Sequence, residues 1–300
     1  MSEMRFDGKV AVITGAGRGL GRGYAELLAA RGASIVVNDL GCSSFGSGAA
    51  VNVADEVVDG IRQRGGQAVA NHASVDTEAG AHSIVQSALV AFGRVDIVIN
   101  NAGIQHPQPF DELPLDVYRK VMDVHFFGTV MVTQAAWPHL VAQGYGRIVN
   151  TVSTTIYGLP YWSAYASAKG ALFAFTRTLA QEVPAGIRVN AISPGAGTRM
   201  AGESGVDAAV VAHLQTAFPP AAVAPTVAYL AHESCTLNGE TLGSGGGATT
   251  RWLVGETAPV TPASLTPESV RENLATICDP SGFTAFGNTM EHVNRARAGR

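Results

Sequence analysis

The chain has 300 residues, 46% of them hydrophobic and 15% charged, with a net charge of −4 at neutral pH. That is enough apolar material for one large core, and the mildly acidic balance, without a block of like charge, gives no electrostatic footprint for nucleic acid. Cys42, Cys235 and Cys278 lie far apart and lack C-x-x-C spacing, which argues against a disulfide framework or a zinc site.

The N-terminal MSEMRFDGKVAVITG runs into a strand-like segment without an apolar leader, and no apolar run reaches about 18 residues. Together with the cysteine usage, this places the expected protein in the cytoplasm and away from membranes. Short β-branched runs then alternate with Ala-rich segments of helical period: KVAVIT (9–14), SIVVND (34–39), AVANHA (68–73), VDIVIN (95–100), RIVNTVS (147–153) and IRVNAIS (187–193). Nearly all are apolar on both alternating faces, as strands covered by helices on both sides must be. Regular alternation of β and α predicts a Rossmann-like, doubly wound, mostly parallel sheet. GCSSFGSGAAVNV (41–53) reads as a long loop after the second strand, and ETLGSGGGATT (240–250) supplies a seventh strand before a glycine turn. We therefore expect residues 1–250 to form the main domain. Residues 251–300, richer in proline and charge, read as a C-terminal extension packed on it, with a frayed tip.

The first strand ends in TGAGRGLG (14–21). Gly15, Gly19 and Gly21 there allow a tight turn, close backbone approach to a pyrophosphate and donation by helix N-terminal amides. Asp39 closes the second strand, where a carboxylate can accept hydrogen bonds from an adenosine ribose. Further on, SAYASAKG (163–170) places Tyr165 and Lys169 four residues apart. If that run is helical, the two heads share one face and can meet. No cluster of His, Cys, Asp and Glu has metal-ligand spacing.

Taken in order, TGAGRGLG, NNAG (100–103), YASAK (165–169) and SPGAGTRM (193–200) resemble the short-chain dehydrogenase/reductase family. Within it, FDGKVAVITGAGRGLGR, AFGRVDIVINNAG, IYG (156–158), HESC (232–235) and LTPESVRENLATICD (265–279) are similar to the dehydrogenase part of the peroxisomal type 2 multifunctional enzymes, which act on (3R)-hydroxyacyl-CoA. The resemblance implies NAD as cofactor and a homodimer or homotetramer. It also implies a cofactor site drawn from Gly15, Arg18, Gly19, Leu20, Gly21, Asp39, Leu40, Ala73, Ser74, Asn101, Ala102 and Gly103, continuing through Pro194, Gly195, Ala196, Gly197 and Thr198 to Tyr165 and Lys169. Tyr165 would move the proton of a secondary alcohol, its pKa lowered from about 10 by the Lys169 ammonium. Lys169 would also hold the nicotinamide ribose, and Ser153 would hold the substrate oxygen.

Three positions depart from the family pattern. Ser153 lies one place closer to the tyrosine than usual, with Val152 at the expected place and Thr154 as the alternative. His125 replaces an asparagine that serves a proton relay in many relatives. Ala73 stands where relatives often carry an acid near the adenine. Tyr157, Tyr161 and Trp162 are the expected substrate-pocket aromatics, and 201–218 the expected substrate lid. Arg18 would favour NADP and Asp39 NAD; like-charge repulsion of a 2′-phosphate decides for NAD. The expected reaction is alcohol–ketone interconversion on 3-hydroxyacyl-CoA. A hydroxysteroid dehydrogenase and a non-catalytic NAD-binding scaffold are the alternatives.

Overall fold

The structure is a computed structural model that describes residues 3–48, 52–197, 202 and 207–298. The chain divides into two compact units, residues 1–250 and 251–300.

In the first unit the β-branched runs form strands β1 (Val10–Thr14), β2 (Ser34–Asn38), β3 (Gln67–Asn71), β4 (Ile97–Asn100), β5 (Gly146–Thr151), β6 (Ile187–Gly195) and β7 (Thr241–Gly245). An eighth, β8 (Ala248–Arg251), completes a sheet of order 3-2-1-4-5-6-7-8 in which β1 to β7 pair in parallel. Seven strands are expected from the sequence; the eighth follows from Gly246 and Gly247, whose φ values of 57° and 80° turn the chain back in a two-residue hairpin.

Helices α1 (Gly19–Ala30), α2 (Val53–Gln63), α3 (Glu78–Phe92), α4 (Leu115–Met122), α5 (Gly128–Gln143), α6 (Ser163–Glu182), α7 (Ala208–Ala217) and α8 (Ala224–Ala231) fill the intervals. Strand alternation sorts the core into two layers. Ala11, Ile13, Ile35, Val37 and Ile99 face Tyr24 and Leu28 of α1, Val57 and Ile61 of α2 and Val227 of α8. Their neighbours Val10, Val12, Val36 and Val98 face Ile84 and Val85 of α3 and Val132 and Leu140 of α5. Each such fully buried Val, Ile or Leu contributes about 1.5–3 kcal/mol relative to exposure, so the apolar double-faced strands account for the three-layer architecture. A buried polar ladder crosses one layer: Asn100 donates to Thr133 and Asn150, and Asn150 donates to Thr176 on α6.

The strand order reverses between β1 and β4, which opens a crevice beyond their carboxyl ends. One turn of π-helix, Asp123–Phe127, separates α4 from α5 beside that crevice. Such bulges recur at functional sites.

The second unit has an antiparallel pair, β9 (Gly255–Glu256) with β10 (Thr284–Ala285), and helices α9 (Pro267–Glu272), α10 (Leu274–Ile277) and α11 (Thr289–Ala298). The Thr266 side chain accepts from the Ser269 amide and the Ser269 side chain accepts from the Thr266 amide, a reciprocal cap that fixes the start of α9.

Candidate active site

A cavity of about 540 Å³ lies at the carboxyl ends of the strands, within the range usual for small-molecule sites. The turn after β1 forms its floor. Gly15 has φ 62°, and a Cβ there would come within 2.9 Å of the Ala102 Cα, so glycine is required for the turns after β1 and β4 to meet. Thr14 joins the same two turns, its hydroxyl accepting from the Asn101 and Ala102 amides at 3.0 and 3.1 Å. Arg18 precedes α1 without a side-chain cap, and the first turn of α1 carries no acidic residue. The helix therefore presents uncovered amides and the positive end of its dipole.

Asp39 stands at the end of β2 with its carboxylate fixed by two backbone donors, Gly17 N at 2.9 Å and Gly41 N at 2.7 Å. Beyond it, Cys42, Ser43, Ser44 and Gly46 line the cavity. This stretch is tied back by the Gln105 amide to the Ser44 carbonyl at 2.7 Å and by the His106 ring to the Phe45 carbonyl at 2.9 Å. The sequence marked it as a loop only; its serines and glycines carry no periodic signal that separates a cavity wall from a linker. Asp76, Lys120, Ile104, Thr151, Leu159 and Leu214 also line the cavity without having been singled out.

Of the expected cofactor residues, Gly15, Arg18, Gly19, Leu20, Asp39, Leu40, Ala73, Ser74, Asn101, Ala102, Gly103, Pro194, Ala196, Tyr165 and Lys169 line the cavity. Gly21, Gly195 and Gly197 are not among its lining residues. Gly21 is needed for packing: a Cβ there would lie 2.3 Å from the Gly15 carbonyl oxygen. Gly197 lets the backbone of α7 approach, since its Cβ would lie 2.4 Å from Gln215 N. Gly195 is exposed. Thr198 and, of the expected lid 201–218, residues 201 and 203–206 lie outside the described residues.

At the inner end, α6 carries Tyr165 and Lys169 on one face, with the Lys169 ammonium 5.5 Å from the Tyr165 ring centroid. Lys169 is buried and donates to the Thr151 carbonyl at 2.7 Å. Ser153 stands beside Tyr165, where it favours the ionised phenol, and its hydroxyl accepts from the Thr155 amide at 3.2 Å. Val152, at the family's usual place for this serine, is buried in the core, so strand alternation turns Ser153 toward the tyrosine. The expectation that Lys169 lowers the Tyr165 pKa is corrected for the protein by itself. Burial pushes Tyr165 up to about 12, against the pull of Ser153, and pushes Lys169 down to about 7. The same desolvation disfavours both charges.

His125, on the π-helical turn, packs edge-on to Tyr165 with ring centroids 5.0 Å apart. Its Nε2 meets the Ile104 carbonyl at 2.7 Å and the Ile104 amide at 3.0 Å, while its buried Nδ1 has no hydrogen-bond partner. Burial, and then the Lys169 charge, hold its pKa well below the ordinary histidine value, so the ring is neutral. Gly103 makes room for it, because a Cβ there would lie 2.4 Å from the His125 ring.

The three aromatics expected at the substrate pocket differ in their surroundings. Trp162 lines the cavity and meets Tyr165 edge-on at 5.2 Å. Tyr157 and Tyr161 are 69% and 61% exposed and do not line it. Tyr161 adopts φ 72°, a left-handed backbone unusual for a bulky residue, immediately before α6.

The residues present fit a dinucleotide: a glycine-floored turn, an uncapped helix N-terminus and a fixed carboxylate lie along one cavity that ends at Tyr165. Among the described residues, no group of three or more His, Cys, Asp or Glu side chains is placed to hold a metal, and no helix is long and apolar enough to cross a membrane.

Comparison with known proteins agrees with this geometry. Residues 9–207 match the short chain dehydrogenase family. The peroxisomal multifunctional enzyme type 2 of Mus musculus is 42% identical over 284 residues, 93% of this chain but 38% of that protein. The full-length structure of the Drosophila melanogaster peroxisomal multifunctional enzyme type 2 superposes with a TM-score of 0.78 at 33% identity, covering 98% of this chain and 50% of that one. The chain thus spans half or less of these relatives. A 7α-hydroxysteroid dehydrogenase complexed with NADH and a 7-oxo bile acid superposes with a TM-score of 0.72 at 31% identity, over 81% of this chain and 95% of that one. The cytoplasmic expectation is overturned by these likenesses. Relatives from Mus musculus, Drosophila melanogaster, Saccharomyces cerevisiae, Dictyostelium discoideum and Neurospora crassa are peroxisomal by name. Cysteine usage does not distinguish a cytoplasmic from a peroxisomal protein.

Proposed function

Because the chain belongs to the short chain dehydrogenase family, we propose that it interconverts a 3-hydroxyacyl-CoA and the matching 3-ketoacyl-CoA, with Tyr165 moving the proton. The family makes it an NAD-dependent oxidoreductase. Acyl-CoA as the substrate class is supported by the likeness to the type 2 multifunctional enzymes. Gly15, Asp39 and the α1 N-terminus would hold NAD, which when bound accepts or returns the hydride.

The observation that carries this reading is the convergence of Ser153, Tyr165 and Lys169 at the inner end of one cavity. Ser153 orients the substrate oxygen beside the Tyr165 hydroxyl. Tyr165, protonated up to about pH 12 when alone in its site, is suited to give its proton to a ketone. In the reverse direction its negative charge needs a positive neighbour; burial alone lowers Lys169 to about 7, and a phenolate beside it would favour the ammonium again. Neutral His125 packs edge-on against the tyrosine ring. Leu159, Trp162 and Leu214 give the reacting end an apolar wall suited to an acyl chain.

A second reading, a hydroxysteroid substrate, is favoured by the likeness to the 7α-hydroxysteroid dehydrogenase. The test is NAD reduction followed by absorbance with a 3-hydroxyacyl-CoA, its free hydroxy acid and a hydroxysteroid. Remote binding through the CoA handle lowers the barrier at the reacting carbon, so the thioester should be much the best substrate. Equal efficiency with the free acid, or activity confined to the steroid, would overturn the assignment.

A further inference from the structure

We propose that Asp76 and Lys120 together read the base of the cofactor: the Asp76 carboxylate accepts a hydrogen bond from the exocyclic amino group of adenine, and Lys120 holds that carboxylate in place. The proposal rests on the reading of the chain as an NAD-dependent enzyme.

Both side chains line the cavity, beside Ala73, Ser74 and Val75 from the segment between β3 and α3. Asp76 and Lys120 form an ion pair that joins this segment to α4. Their exposures differ, 11% for the Asp76 side chain and 49% for that of Lys120, so the carboxylate sits inside and the ammonium at the rim. The carboxylate also accepts from the Ser74 hydroxyl. With two donors engaged of about four acceptor positions, it retains capacity for one from a ligand. Burial raises the Asp76 pKa, but the hydrogen bonds from Lys120 and Ser74 and the Lys120 charge outweigh it and keep the carboxylate ionised. An ionised carboxylate only accepts, and the adenine edge offers an amino donor. Asp39, another acid lining the cavity, stands at the end of β2, where the proposed function assigns it to the cofactor's ribose. Ala73 cannot supply an acid; Asp76, three residues further on, returns one to the same wall.

The test compares equilibrium binding of reduced NAD with that of reduced nicotinamide hypoxanthine dinucleotide, whose base carries a carbonyl where adenine carries the amino group. Binding is followed by nicotinamide fluorescence in the unaltered protein, Asp76→Asn and Lys120→Met, with thermal unfolding as the control for folding. Hydrogen bonds to charged groups predict a preference for adenine of about tenfold or more in the unaltered protein. Asp76→Asn, whose amide can donate or accept, should bring the ratio close to one. Lys120→Met should reduce it in part. An unchanged ratio in Asp76→Asn, or in Lys120→Met should the first variant fail to fold, would overturn the proposal. Failure of the unaltered protein to bind reduced NAD at all would overturn both it and the reading beneath it.

Discussion

At the nucleotide end of the cavity the chain works mainly through its backbone, whereas at the reacting end it works through buried side chains. Asp39 is fixed by two amides, and the turns after β1 and β4 touch because Gly15 has no Cβ. At the other end, Tyr165, Lys169 and His125 stand close together with each pKa moved by burial. The contrast is functional. Backbone groups bind without titrating, while desolvated side chains can exchange protons but oppose folding when charged. Binding and chemistry should therefore fail separately when one end is altered.

The largest effect is expected from Lys169→Met. Removing the cation that compensates a Tyr165 phenolate should lower turnover by about 10²–10⁴-fold, the usual scale of acid–base contributions. A second readout separates electrostatics from lost packing. The folded-state pKa of about 7 lies below the 10.5 of the unfolded chain. Below pH 7 both states hold the proton and the cost of the buried ammonium is fully present. Between these values the unfolded state binds more protons, so stability rises with pH. Chemical denaturation across pH 6.5 to 9.5 should show a shallower rise in Lys169→Met than in the unaltered protein; identical slopes would contradict the account of this end.

Next in size is Gly21→Ala at the nucleotide end. Its methyl group would stand 2.3 Å from the Gly15 carbonyl oxygen, and overpacking of this kind costs about 1–3 kcal/mol. Thermal unfolding should shift downward, with weaker NAD binding as the turn moves. Unchanged stability and affinity would show that this turn tolerates widening. The smallest effect is expected from Asp39→Ser, which removes one charged acceptor: about tenfold in NAD affinity, with a narrower gap between NAD and NADP. Comparable affinity of the unaltered protein for both cofactors would remove Asp39 from the discrimination.

The same contrast explains what the sequence made legible. Strands apolar on both faces announced a covered parallel sheet, and glycines between a strand and a helix announced the nucleotide turn, because those features are set by neighbours in the chain. Tyr165 and Lys169 were visible through helical spacing. Composition does not separate Trp162, which lines the cavity, from Tyr157 and Tyr161, which are exposed. Asp76 and Lys120 escaped notice because their pairing joins segments 44 positions apart. The shift of Tyr165 to about 12 was hidden too, as desolvation is a property of the packed layers and not of the YASAK motif.

The central claim, that Tyr165 belongs to the chemistry and not to binding or packing, is tested most directly by one paired measurement on Tyr165→Phe: NADH titration and turnover on the same preparation. The ring, its edge-on contacts with His125 and Trp162 and the cofactor wall all persist in phenylalanine. The account predicts near-unchanged NADH affinity with turnover lowered by about 10²–10⁴-fold. A variant that folds, binds NADH and keeps most of its turnover would contradict it.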